Sequence, residues 1–469
     1  MRRRSPSPLG AALRSVLIPG WGQLATRDTT VGKILVFVTG LALIAVLTVF
    51  LFVEPVEIAA WLADPDVILG IILFNIAVLV IRLFSTEQAW RASGGHRWFA
   101  ALFLATLVSI PHVAIGWVGL ETRDSLIRLF PAGDVALAAE PPTTSSSSTT
   151  TTSTTMPIEL SPIATIPGQY VSDEIDATTT AGWEPFGRER LNILLLGGDA
   201  GPGRRGLRTD TMIIASIDPI SGDAALIGIP RNYGAPILSD GTKVPVSQIG
   251  HVYGWGTRRP DQFSGPDPGA AATMDAISTI TGLELDHFVL VDLTGFADVV
   301  DAFGGVVLDV EIPVDGPLYD VETGGYEMVQ ISAGSQHLDG AHALAYARAR
   351  YGSSDYVRMG RQRCILASMA AQADLLNLFG RLGGLLDAVE ANLVTDIPME
   401  TIPDLIRLTP RVSAAGIRVI GFDAKWGSGK TATGHVIPDI DLIREAVRAT
   451  IENPESAPGF GAATAETGC

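Results

Sequence analysis

Leu191-Asn192-Ile193-Leu194-Leu195-Leu196-Gly197-Gly198-Asp199 is an apolar run of strand length that stops on two glycines and a carboxylate. A strand this apolar has both faces buried, which happens in sheets covered by helices. Similar short runs occupy residues 211–217, 224–230, 288–291 and 306–310. Helical patterns fall at 270–280, 292–302, 355–379 and 439–451. Strands interleaved with helices predict a layered α/β domain. No repeat of 20–50 residues is present, so a solenoid or propeller is not expected.

The chain around this domain is 469 residues long, room for about two or three domains. Its formal net charge is −17. Nucleic acid is therefore not an expected partner, since binding it needs basic surface. The acidic balance makes any local arginine cluster more informative. The chain has two cysteines, Cys364 and Cys469, too few for a disulfide scaffold or a cysteine-rich metal site. They read as a buried free thiol and a tail residue.

Mean hydropathy is +0.31, high enough to place part of the chain in lipid. Residues 34–53 carry no charge, 67–81 extend to Phe84 across Arg82, and 98–120 contain Pro111 and His112. A span needs about 20 apolar residues, and the second run is the shortest of the three. Arg2, Arg3, Arg4, Arg14, Arg27 and Lys33 precede the first run. Glu54, Glu57, Asp64 and Asp66 follow it, and Arg82, Arg91 and Arg97 lie before the third. This basic–acidic–basic order predicts a multi-pass cell-membrane protein with a cytoplasmic segment 1–33, a membrane region 34–120 and an extracytoplasmic remainder. Residues 18–24 resemble the "PGxGQ" opening of some small bacterial membrane domains, and read equally as an interfacial turn. The Ser/Thr tract framed by Pro141 and Pro157 predicts a linker over 121–186. As a flexible coil the stretch from Leu120 to Leu191 would span roughly 45–50 Å. The α/β domain is then expected over 187–452, with a disordered tail at 453–469.

Four polar clusters sit at strand ends, where ligands bind in open α/β sheets. Asp199 closes the first strand, and Arg208-Thr209-Asp210 opens the second. If those strands are neighbours, Asp199 and Asp210 converge and suit Mg2+ held partly by substrate phosphates; taken alone they read as turn residues. Arg231 follows the third strand. The strongest cluster is Tyr346-Ala347-Arg348-Ala349-Arg350, then Asp355, Arg358, Arg361, Gln362 and Arg363. Arg358, Gln362, Ile365 and Met369 share one helix face, cationic at its start and apolar beyond. A helix start attracts anions, and arginine adds bidentate donors suited to phosphate. Arg363 is expected to face about 140° away. The chain has no G-x-S-x-G or H-E-x-x-H, and residues 427–431 lack the leading glycine of a P-loop.

Together the clusters resemble the LytR-CpsA-Psr family of cell-wall glycopolymer transferases. That family runs "GSD", "RSDTM", "IPRD" and "RTR…SDxxRxxRQ". This chain has Gly197-Gly198-Asp199, Arg208-Thr209-Asp210-Thr211-Met212, Ile229-Pro230-Arg231-Asn232, Arg348-Ala349-Arg350 and Ser354-Asp355-Tyr356-Val357-Arg358-Met359-Gly360-Arg361-Gln362. It departs at Asn232, usually Asp, at Gln248-Ile249-Gly250, usually "KIN", and in having three spans where many members have one. The resemblance implies a mixed central sheet and Mg2+-dependent transfer of a glycan from a polyprenyl-pyrophosphate carrier to peptidoglycan, at a membrane-lipid surface. It implies that Asp199 and Asp210 hold the metal. Arg208, Arg231, Arg348, Arg350 and Arg358 would act as catalytic and substrate-binding residues, and Gln362 as a substrate ligand. The alternatives are a polyprenyl-pyrophosphate phosphatase and a lipid-phosphate-binding regulator of the envelope.

Overall fold

The computed structural model describes residues 7–25, 29–130, 165–166, 189–199, 208–319, 325–350, 354–373, 392–415 and 417–452. The chain divides into two compact units, Met1–Arg128 and Leu129–Cys469.

The first unit is helical: α1 (Pro8–Leu17), α2 (Trp21–Leu24), α3 (Thr29–Phe52), α4 (Pro55–Leu62), α5 (Pro65–Ala92) and α6 (Trp98–Leu129). Helices α3, α5 and α6 are each long and apolar enough to cross a membrane, and the second run, the shortest in sequence, lies within the 28 residues of α5. Phe37, Leu41, Ile44, Leu47 and Leu51 project outward from α3, a surface that suits lipid rather than water. The turn at Gly20 is a packed joint, not a bare interfacial turn. Its backbone N–H donates to Ser85 Oγ at 2.9 Å, and buried Gln23 donates through Nε2 to the Ser85 carbonyl at 2.7 Å. Gly20 has φ of +95°, and a Cβ there would meet the Gly32 carbonyl at 2.4 Å, so only glycine fits. Helix α6 continues past Leu120 to Leu129, into the stretch expected as linker.

The second unit begins with β1 (Thr165–Ile166), β2 (Leu191–Gly198), β3 (Thr209–Ile217) and β4 (Ala224–Gly228). Next come α7 (Val252–Gly256), α8 (Pro268–Thr281), β5 (His287–Val291), α9 (Leu293–Phe303) and β6 (Val306–Val310). Then β7 (Val314–Tyr319), β8 (Tyr326–Ile331), β9 (Gly334–Leu338), α10 (Gly340–Arg348) and α11 (Asp355–Ala371) follow. The described chain finishes with β10 (Leu393–Thr395), α12 (Ile402–Ala415), β11 (Ile417–Gly421), β12 (Gly427–Lys430), β13 (Val436–Pro438) and α13 (Ile440–Glu452). Thr165 and Ile166 thus supply an edge strand from within the expected linker. The rest of that linker beyond Phe130, the expected helix beyond Ala373 and the tail 453–469 lie outside the described residues, as do Arg2, Arg3, Arg4 and Arg27.

The main sheet has seven strands in the order β1-β11-β4-β3-β2-β5-β10. It is mixed: β11–β4 and β2–β5 are parallel and the other four pairs antiparallel. The two-residue period of the strands sorts their side chains between faces. Leu194, Leu196, Met212, Ile214 and Ile227 join Ile277 of α8 and Ile443 and Val447 of α13 in the larger core. Leu195, Ile213 and Leu226 join Ala367 of α11 and Val412 of α12 in a core of their own. The result is helix, sheet and helix in three layers. The apolar run 306–310 leaves this sheet and pairs with β9, while β7 pairs with β8. Those two strand pairs and α9–α11 build a further core around Val306, Leu308, Val314, Tyr346 and Ile365.

Cys364 lies in that further core, 3% exposed. It is disulfide-bonded, which corrects the expectation of a free thiol. Cys469 lies outside the described residues. A disulfide fits an oxidising compartment, a reading for which composition gave no signal.

Candidate active site

The site starts with the glycines that end β2. Gly197 pairs with Thr211, whereas Gly198 pairs with Thr209, so Asp210 is the extra residue of a β-bulge. A bulge re-aims a side chain out of the regular alternation, and here it directs the Asp210 carboxylate to the cavity beside the sheet. A Cβ on Gly197 would stand 2.8 Å from Thr211 Cβ, so the bulge needs glycine here. Asp199 takes a hydrogen bond from the Arg208 backbone N–H to Oδ1 at 2.8 Å, and donates its own N–H to the Arg208 carbonyl at 3.0 Å. Antiparallel neighbours therefore bring the two predicted carboxylates to one place.

Arg231 stands three residues beyond β4. It donates through Nη1 to Asp210 Oδ1 at 2.5 Å and through Nη2 to Asp355 Oδ1 at 3.4 Å. Arg358, only 2% exposed, grips the same Asp355 with Nε at 3.0 Å and Nη2 at 3.2 Å, and reaches the Asp210 carbonyl at 3.1 Å. Arg350 adds a third cation, its Nη2 at 3.4 Å from Asp355 Oδ1. Asp355 opens α11, whose N-cap Ser354 accepts from the Val357 N–H. Burial pushes the Asp355 carboxyl up, but the hydrogen bond and charge of Arg358, then Arg231 and Arg350, outweigh it and hold the group below the ordinary carboxylate range. Burial, then Arg231 and Arg358, lowers Arg350. Arg231 is raised: burial opposes, and the charges of Asp210 and Asp355 prevail.

All eight predicted residues, Asp199, Arg208, Asp210, Arg231, Arg348, Arg350, Arg358 and Gln362, line one cavity of about 780 Å3. Gln362 also donates to the Ala347 carbonyl at 3.3 Å, tying α11 to the end of α10. Away from this polar mouth the lining is apolar: Leu195, Ile213 and Val289 of the sheet, Phe296 and Val299 of α9, and Leu366 and Met369 of α11. The cavity thus offers a cationic entrance and a greasy interior, a combination that apolar periodicity alone did not locate. Five arginines and three carboxylates, Asp199, Asp210 and Asp292, line the cavity, and a fourth carboxylate, Asp355, pairs with three of the arginines, so cations outnumber carboxylates by one. Arginine so arranged suits an anionic group.

Asp355 was quoted in the sequence only as part of a motif. The structure makes it the hub of the arginines; its position among five arginines was the available signal. Arg361 lies outside the cavity lining. It donates Nη1 to the Ala349 carbonyl at 2.9 Å and stacks 5.7 Å from the Tyr346 ring, so it braces the backbone between Arg348 and Arg350. Arg363 does face away from the cavity, but not to solvent. It is 8% exposed, with its guanidinium against Gly228 and Gly421, and Nε and Nη1 have no hydrogen-bond partner. Burial pushes it down to about 10. Residue 232, Asn where Asp is usual, pairs with Tyr356 and is not part of the cavity lining.

The second unit is thus a three-layer α/β domain around a mixed sheet, with an arginine-ringed, apolar-floored cavity. The chain belongs to the LytR_cpsA_psr family, whose profile it matches over residues 168–438. It is 29% identical over 216 residues to the polyisoprenyl-teichoic acid–peptidoglycan teichoic acid transferase TagU of Halalkalibacterium halodurans, covering 45% of this chain and 63% of that protein. It is 30% identical over 221 residues to TagU of Oceanobacillus iheyensis, covering 47% and 62%. The chain thus spans less than two thirds of the curated relatives it matches. The crystal structure of TagV of B. subtilis aligns over 56% of this chain and 98% of that one, at 23% identity and a TM-score of 0.42.

Proposed function

We propose that this protein transfers a glycopolymer from a polyprenyl-pyrophosphate carrier to peptidoglycan, leaving the polymer linked through a phosphodiester. One observation carries the reading: a single cavity joins an arginine cluster sized for a pyrophosphate to an apolar interior suited to a prenyl chain. The relatives are named for a polyisoprenyl-linked teichoic acid and for peptidoglycan, a donor and an acceptor consistent with that reading. In this reading Arg231, Arg350 and Arg358 hold the pyrophosphate, with Arg208 and Arg348 at the rim and Gln362 fixing the floor. An acceptor hydroxyl attacks the glycan-bearing phosphorus, the bond to the lipid phosphate breaks, and the polyprenyl phosphate leaves against fixed guanidinium groups. Donors already in place stabilise the developing charge without reorganising.

Asp199 and Asp210 would hold Mg2+. Among the described residues no group of three or more metal-binding side chains converges, so the protein supplies two carboxylates. That set fits an ion that is completed by substrate phosphate and water. When bound, the ion would neutralise phosphate oxygens. The three apolar helices would anchor the protein as a multi-pass membrane protein, with the α/β domain outside the cell.

The test uses the full chain in detergent, a lipid-pyrophosphate-linked glycan and a muramyl-glycan acceptor. Mass spectrometry is expected to find the glycan phosphodiester on the acceptor together with polyprenyl phosphate. Glycan phosphate released to water, with the acceptor unmodified, would instead make the protein a phosphatase.

A further inference from the structure

Helix α10 ends at Arg348, and the backbone leaves it at Ala349 in an extended conformation, φ −57° and ψ +128°. Alternate side chains of extended backbone point the same way. Arg348 and Arg350 accordingly both line the cavity, while Ala349 between them is fully buried in the further core. Carbonyls at and beyond a helix end have no intrahelical partner, so this stretch takes its position from whatever donates to them. Two adjacent residues of α11 do so. Arg361, 3% exposed, donates Nη1 to the Ala349 carbonyl at 2.9 Å, and Gln362 donates Nε2 to the Ala347 carbonyl at 3.3 Å. The Arg361 guanidinium also sits 5.7 Å from the centre of the fully buried Tyr346 ring. Strand β7 packs as tightly on α10: a Cβ on Gly316 would stand 2.4 Å from the Ala345 carbonyl. A planar guanidinium held by a ring and a carbonyl together has a fixed orientation, which the point charge of an ammonium does not provide. Arg361 lies outside the cavity lining, so its contacts serve the two arginines and not a ligand.

We infer that Arg361 is a positioning residue: it fixes the spacing of Arg348 and Arg350 so that the site distinguishes a prenyl pyrophosphate, the head of the donor, from a prenyl monophosphate, the lipid product. This rests on the transfer reading above. Two residues of extended chain separate the arginine Cα atoms by about 6–7 Å. From that separation two guanidinium groups can each take one of two linked phosphates. When the spacing is fixed beforehand, the second contact follows the first at a high effective concentration and with little further ordering cost. A monophosphate has only one group to offer and gains nothing from the second arm. The protein therefore grips the lipid more tightly before transfer, and the product leaves once a single phosphate remains on it. A loosened Ala349 would let the arginines move apart and would erase the preference while leaving each cation in the cavity.

The test titrates the full chain, in detergent and EDTA, with geranyl pyrophosphate and with geranyl phosphate by calorimetry. EDTA keeps any metal from adding to the preference. Wild type is expected to bind the pyrophosphate about 10- to 100-fold more tightly, the scale of one further hydrogen-bonded contact to a charged group. Arg361→Lys keeps the charge and removes the planar fork, and should lower that ratio by about 10-fold, mainly through weaker pyrophosphate binding. Binding of geranyl phosphate shows that the variant folds. Ala349→Gly alters no side chain of the cavity and only frees the joint. It should lower the ratio by about 2- to 5-fold, and it carries the test where Arg361→Lys does not fold. A charge or stability role for Arg361 would weaken both ligands alike or neither. A ratio equal to wild type in the folded variants therefore overturns the inference and leaves the transfer reading standing. A wild type with no preference also overturns it. A wild type that binds neither ligand overturns the donor reading itself.

Discussion

Asp355 holds three arginines by one carboxylate, and its protonation state decides whether they stay together. Its folded pKa is depressed, so its stabilisation is complete above the unfolded value near 3.9 and is lost as pH falls through the folded value. Asp355→Asn should lower stability at neutral pH by about 2 kcal/mol, the scale of hydrogen bonds to a charged group. The gap to wild type should close as pH falls below about 4, and thermal midpoints measured against pH would test it. Arg358→Ala should reduce turnover by about 10²–10³-fold, as for loss of one preorganised donor, and Lys should rescue only in part. Arg363 is buried on the far side of α11 from the cavity. Its buried nitrogens lack partners, so Arg363→Met should raise the thermal midpoint and leave donor binding unchanged. A fall in midpoint would mean that the guanidinium stabilises its site. The contrast marks a limit of reading by periodicity. A 140° rotation correctly separates Arg363 from Arg358, but says nothing of what covers the other face. Here β4 and β11 cover it, through two glycines far apart in sequence.

At the scale of elements, the strands and helices were legible because burial on both faces leaves short apolar runs with polar ends. Seven of the eight site residues were legible for the same reason, since each sits near where such a run or helix begins or stops, whereas Gln362, inside α11, was legible by the helical spacing it shares with Arg358. The bulge was not legible: it depends on the register between β2 and β3, which only pairing reveals. The apolar cavity was hidden too, because its walls come from α9, α11 and the sheet, and their lining residues are apolar like any core. Gly197→Val would force a side chain against Thr211 and remove the space that the bulge needs. The expected cost is about 1–3 kcal/mol, as for an overpacked core, with loss of turnover from displacing Asp210. Urea unfolding and donor turnover would check the two parts separately. Unchanged turnover in a folded variant would show that the carboxylate does not need the bulge.

At the scale of the whole molecule, the first unit carries three helices long and apolar enough to cross a membrane, and the second carries the arginine-ringed cavity. Charge order along the first 120 residues predicts a topology with the N-terminus inside and the α/β domain outside. Reporter fusions after Leu129 should be active only on the outer face, and a reporter active in the cytoplasm there would reverse the assignment. Composition could signal this apolar unit because three helices of 24, 28 and 32 residues raise the average hydropathy of the whole chain. It could not announce the disulfide at Cys364, since a cysteine reads the same in sequence whether bonded or free.

The clamp between Asp199 and Arg208 has a consequence for which changes the site can absorb. Both of its hydrogen bonds run to the Arg208 backbone, through the N–H and the carbonyl, and neither uses the guanidinium. The residue at 208 can therefore exchange its side chain, and with it the charge offered to the cavity, while Asp199 stays where it is.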